Sequence, residues 1–196
     1  MFRKGPARTM PLNAVSPHGS ATDMNFSAIS LAVAYGLFPL CMAAAALWDL
    51  RTFTIPNKLC IALVVSFGVA AFLAELPAAQ VLQHVATAAV VLLIVYGLFA
   101  LRMIGGGDGK FLAASALWFG WPDVWHYAVF FSLAGGLLVI LLVILRRLPL
   151  PAPLAERDWI ARLFGRKSGV PYGVALAAGG LLCYPHTELF ARLIAG

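Results

Sequence analysis

Two aspartates stand where an apolar chain least tolerates them. Asp49 closes the first long hydrophobic run, and Asp108 lies inside Gly105-Gly106-Gly107-Asp108-Gly109-Lys110. An ionised carboxylate beside lipid costs roughly 2.5–3.5 kcal/mol on insertion scales, so such groups face a bundle interior or a water-filled cavity. Two carboxylates together can hydrolyse a peptide. One, ionised, activates water; the other, protonated, supplies a proton to the departing amide nitrogen. Like-charge repulsion and partial burial split the titration steps of such a pair, giving its members different roles. Taken singly, each has a plainer reading: Arg51 can neutralise Asp49 at an interface, and Asp108 can cap a helix or meet Lys110. The chemistry therefore requires a fold that brings both to one place.

The rest of the chain reads as an integral membrane protein. Of its 196 residues 62% are hydrophobic and 11% charged, against about 25% charged in an ordinary soluble domain. A soluble chain of this length has no interior large enough for so much apolar side chain, so a lipid bilayer must cover part of it. The net charge of +6 does not indicate nucleic acid, because no dense basic stripe accompanies stacking aromatics. The expected fold class is all-α, a polytopic membrane protein of about six transmembrane helices around a cytoplasm-facing diaspartyl site. The expected spans are 27–48, 59–76, 81–101, 111–121, 125–145 and 172 to about 190. The fourth reaches across a roughly 30 Å hydrocarbon core only if its helix includes the glycine-rich segment. Pro39 is a candidate kink in the first, and Pro185 interrupts the last. Pro77 and Trp121-Pro122-Asp123 mark boundaries, and Asn57 is expected to cap the second helix.

Alternating spans put Arg51, Lys58, Arg102, Lys110, Arg146, Arg147, Arg157, Arg162, Arg166 and Lys167 on one side, ten of the fourteen basic residues. The positive-inside bias makes that side cytoplasmic, with both termini outside and both aspartates on the cytoplasmic face. Residues 1–26 form a polar tail without the apolar region of a signal peptide, and Met24 is an alternative start. Residues 27–195 read as a single membrane domain. Its basic loop, 146–168, carries a short amphipathic stretch from Glu156 to Phe164, suited to the membrane surface.

Other chemistries fail in detail. A P-loop needs Gly-x-x-x-x-Gly-Lys followed by Ser or Thr, but Ile104 holds the first glycine position and Phe111 follows Lys110. His84, His126 and His186 are dispersed, and neither a zinc-protease motif nor a serine nucleophile elbow is present. Cys41, Cys60 and Cys183 form no C-x-x-C pair and read as small buried hydrophobes.

Three pieces carry a family resemblance: Asp49-Leu50-Arg51 with Ile55-Pro56-Asn57, the glycine-rich segment around Asp108, and Pro171-Tyr172-Gly173 before the last span. Over roughly residues 29–190 the chain resembles the GxGD membrane aspartic peptidases. Within them it is similar to the short type IV prepilin peptidases of the CpaA/TadV kind in bacterial Flp (type IVb) pilus systems. The resemblance implies an aspartic endopeptidase of the inner membrane with Asp49 and Asp108 as the catalytic pair. Gly105 and Gly107 would supply the motif's glycines, with Arg51 and Lys110 supporting the site. It implies a membrane-inserted prepilin as substrate, pilus assembly machinery as a further partner, and no metal or other cofactor. The larger bifunctional enzymes add a region of paired C-x-x-C sequences associated with zinc and methylation. This chain has no such region, so methyltransferase activity is not expected. Another GxGD peptidase, or a non-catalytic membrane assembly or transport component, are the alternative readings. On the expected topology, single cysteines at residues 51–57 and at 147–168 should react with an impermeant thiol reagent from the same side of the membrane; labelling from opposite sides would refute it.

Overall fold

The computed structural model describes residues 21–149, 153, 156–165 and 168–195. Most of the polar tail, with Arg3, Lys4 and Arg8, lies outside the described residues, as do Arg166 and Lys167 of the basic loop. Among the described residues the chain is all helix and turn, with no strand. The helices are α1 (Ala21–Thr52), α2 (Asn57–Leu73), α3 (Ala78–Ala100), α4 (Gly106–Leu145), α5 (Asp158–Phe164), α6 (Tyr172–Cys183) and α7 (Glu188–Ala195). Among the described residues three segments are long and apolar enough to cross a membrane, Asn25–Thr52, Ala78–Ala100 and Gly106–Leu145; α2, with 17 residues, is apolar but shorter.

The helix ends follow from local chemistry. α1 runs through Pro39 and stops where Phe53 turns left-handed (φ 55), its N–H donating to the Asp49 carbonyl at 2.8 Å. Pro56, extended at φ −65 and ψ 138, opens α2. Asn57 does not cap that helix, contrary to the sequence expectation: it is the first helical residue, and no side chain caps the helix. The fixed backbone of Pro56 already sets the chain's entry angle, and the Asn57 Oδ1 instead accepts from Lys110 Nζ at 3.5 Å. Pro77 opens α3, as its fixed φ favours. α6 passes into a 3-10 turn at Tyr184–His186, containing Pro185, before α7. The amphipathic stretch of the basic loop forms α5.

α4 is not one rod. Gly120 inside it has φ 64 and ψ −179, a conformation open essentially to glycine alone. The ring of Phe119 stacks on that of Tyr127 with centroids 4.3 Å apart, although eight residues of straight helix would separate them by about 12 Å along the axis. The first arm, 106–119, runs antiparallel to α3, with Gly106 beside Phe99, Gly109 beside Val95, and the Leu117 carbonyl 2.8 Å from His84 Nδ1. The second arm, 121–145, runs back along α6, from Cys183 beside the Asp123 carbonyl, through Gly179 against the Phe131 backbone, to Gly135 beside Tyr172. The boundary expected at Trp121-Pro122-Asp123 is thus a reversal that pivots one residue earlier.

Aromatic packing fixes the pivot end. Phe38 of α1 meets Trp118, Phe119 and Tyr184, and Phe67 of α2 meets both Trp118 and His84. Two buried polar tips are matched, Trp118 Nε1 donating to the Leu63 carbonyl at 3.0 Å and Tyr127 Oη to that of Leu176 at 3.2 Å, whereas the buried Tyr184 Oη has no hydrogen-bond partner among the described residues. Around this core α3 presents Leu82, Leu93, Ile94 and Tyr96 outward, an apolar surface that a bilayer covers. Gly120→Ala should destabilise the protein by about 1–3 kcal/mol, because an added Cβ would also meet the His84 ring at 3.0 Å. Gly136→Ala, where nothing lies within 4 Å, is the control; equal thermal unfolding of the two variants in detergent would contradict the pivot.

Candidate active site

Asp49 lies in the last turn of α1 and is 2% exposed. A buried carboxylate is tolerable only if hydrogen-bonded. The backbone N–H of Gly173 donates to Asp49 Oδ2 at 2.7 Å, at the short end of the range for such bonds. Gly173 is the second residue of α6, so its N–H is one that the helix itself leaves unpaired at the positive end of its dipole. Only glycine fits there. A Cβ at residue 173 would lie 2.9 Å from Asp49 Oδ2 and 2.8 Å from Ile55 Cδ1.

Asp108 sits in the first turn of α4, where the dipole again favours negative charge. Its carboxylate folds back over Gly105, the residue preceding the helix: a Cβ there would meet Oδ2 at 3.1 Å. Gly107 faces the Ile55 backbone, with a Cβ position 3.5 Å from the Ile55 nitrogen. Ile55, itself buried, therefore wedges between the glycine beside Asp108 and the glycine that holds Asp49. The left-handed turn at Phe53 and the extended Pro56 place it there. Through Ile55 the segments carrying the two aspartates meet at the same end of the bundle.

Of the residues singled out in the sequence, Asp49, Asp108, Gly105 and Gly107 thus converge at one end of the bundle. Arg51 and Lys110 are exposed at its margin, and among the described residues neither makes an ion pair. Lys110 reaches Asn57 instead of Asp108. Gly173 was visible only as part of a motif, and Ile55 likewise; nothing in their own sequence neighbourhoods signals a partner in α1 or α4. His84, His126 and His186 lie at the other end, around the pivot and the Asp123 carboxylate. Among the described residues no group of three or more His, Cys, Asp or Glu is placed to hold a metal ion.

A helical, multi-span bundle with an apolar exterior and two carboxylates at one end is the framework of a polytopic membrane protein with a polar site. The sequence profile of the Type IV leader peptidase family matches residues 36–144, more than half of the chain and inclusive of both aspartates. The protein belongs to that family and is a membrane peptidase. No curated protein and no solved structure matches it. Gly173→Ala should lower leader cleavage by roughly 10²-fold, the scale of loss for a reacting group misplaced by about 1 Å, while Arg51→Ala keeps most activity. Comparable rates for G173A and wild type in a membrane cleavage assay would remove the positional role of this glycine.

Proposed function

We propose that Asp49 and Asp108 are the catalytic pair of an aspartic endopeptidase that removes the leader of Flp-type (type IVb) prepilins at the cytoplasmic face of the inner membrane. The observation that carries this reading is the convergence of the two carboxylates, one buried in the last turn of α1 and one in the first turn of α4. The ionised member takes a proton from a water molecule as its oxygen attacks the scissile carbonyl carbon. The protonated member donates its proton to the amide nitrogen as the C–N bond breaks, leaving a new carboxyl terminus and a free amine. The two carboxyl groups have then exchanged proton states, and a proton transfer resets them.

In this reading six segments span the bilayer: α1, α2, α3, the two arms of α4, and α6 with its terminal turn. Arg51, Lys58, Arg102, Lys110, Arg146 and Arg147 fall at the aspartate end, which supports a cytoplasmic site and outer termini. Water reaches that end without crossing hydrocarbon. The substrate is a membrane-inserted prepilin whose polar leader meets the site from the cytoplasm, and the mature pilin passes on to the pilus assembly machinery. Asp49→Asn and Asp108→Asn should each abolish leader cleavage when co-expressed with a prepilin, with membrane insertion unchanged. Asparagine keeps the shape but cannot exchange the proton. Normal cleavage by either inserted variant, read from the mature N-terminus of the pilin, would reject the pair.

A further inference from the structure

We propose that the apolar groove between α2 and α3 receives the transmembrane helix of the prepilin while its leader is cut. This inference rests on the prepilin-processing reading and adds where the substrate lies. α2 and α3 are joined by a short turn, and both pack against the first arm of α4. Near the pivot they close on each other, the Phe67 and His84 rings standing 5.3 Å apart. Toward the aspartates they leave an open groove of about 600 Å³.

Its form suits a helix. Ile61 and Val65 of α2 form one wall and Val85 and Leu92 of α3 the other, all exposed and apolar. The floor is Ala113 and Ala114 of α4, residues small enough to let a second helix backbone approach closely. That matters because lipid tails are as apolar as leucine, so helices associate in a bilayer through shape and contact. The groove ends close to the site along the chain, although neither aspartate lines it. Its one polar end is formed by Lys110 and Asn57, and Lys110 stands two residues beyond Asp108 on the same helix. From Lys110 to Leu117 the floor extends two turns, about 10 Å, toward the middle of the bundle. A substrate helix seated there with its N-terminal end at Lys110 presents the preceding peptide bond at the level of Asp108. A membrane-inserted substrate can arrive laterally, since this face opens to lipid.

A second apolar groove, between the second arm of α4 and α6 and lined by Leu137 and Leu182, is the rival seat. Photo-crosslinking in membranes separates them. The reactive residue p-benzoylphenylalanine is placed singly at Val65, Leu92, Leu137 or Leu182 in the D108N protein, co-expressed with uncut prepilin. Crosslinked prepilin is expected at Val65 and Leu92, with none above background at Leu137 and Leu182. Ala89→Trp, which fills the groove from an exposed position, should abolish the Leu92 crosslink and, with both aspartates present, prepilin cleavage. Crosslinks only at Leu137 or Leu182, or only to lipid at Val65 and Leu92, would overturn the proposal. Cleavage by the wild-type protein in the same membranes tests the processing reading itself: its absence defeats that reading, whereas cleavage with crosslinks elsewhere defeats only the groove.

Discussion

The hydrogen bond from the Gly173 backbone to Asp49 is the constraint around which the bundle is arranged. The desolvation of a carboxyl group at 2% exposure in an apolar protein must be offset, and the Gly173 N–H is what offsets it. The partners are 124 residues apart in sequence. To meet, α6 must begin at the depth where α1 ends, with its first free N–H groups aimed inward. The helix dipole then adds to the bond. Because the donor is main chain, its position is set by the path of the backbone and not by a rotamer. The absence of a side chain at residue 173 leaves the carboxylate its place.

Asp108 depends on the same arrangement through Ile55. The turn from α1 to α2 pushes this side chain into the space shared by Gly107 and Gly173, so the depth of α4 is registered against that of α1 and α6. The opposite end of the molecule supports that register. The Gly120 reversal, with Phe38, Trp118, Phe119, Tyr127 and Tyr184 packed about it, sets how far each arm of α4 extends. In lipid, where hydrophobic burial gives helices little reason to prefer one another, such fitted contacts do the work of a soluble core.

Much of this was legible from the chain itself. The apolar runs locate α1, α2 and α3, and Pro77 and Pro185 mark breaks that the backbone makes. The two aspartates stood out because charge in such runs is expensive. What could not be read was mostly long-range. Asn57 has the composition of a helix cap, yet Pro56 takes the capping position and Lys110, from another helix, takes the side chain. Trp121-Pro122-Asp123 announced a turn, but the pivot is Gly120, chosen because the reversal needs a positive φ that a proline cannot adopt. Arg51 and Lys110, placed by sequence beside the aspartates, point outward because neighbours two apart on a helix do not share a face.

The two carboxylates end in unlike surroundings, and that difference suits the proposed chemistry better than symmetry would. Asp49 is buried and held by a main-chain donor from a distant helix. Asp108 is only partly buried and rests on its own helix terminus, over a glycine that leaves room above it. A pair that must hold one proton between two groups gains from such asymmetry, since it lets each member keep one role through the first step. Asp49 is pinned by the wall formed by α1 and α6, whereas Asp108 belongs to the arm that floors the α2–α3 groove. A substrate helix seated against that floor would bear directly on the element carrying Asp108, and through Ile55 on the turn that follows Asp49.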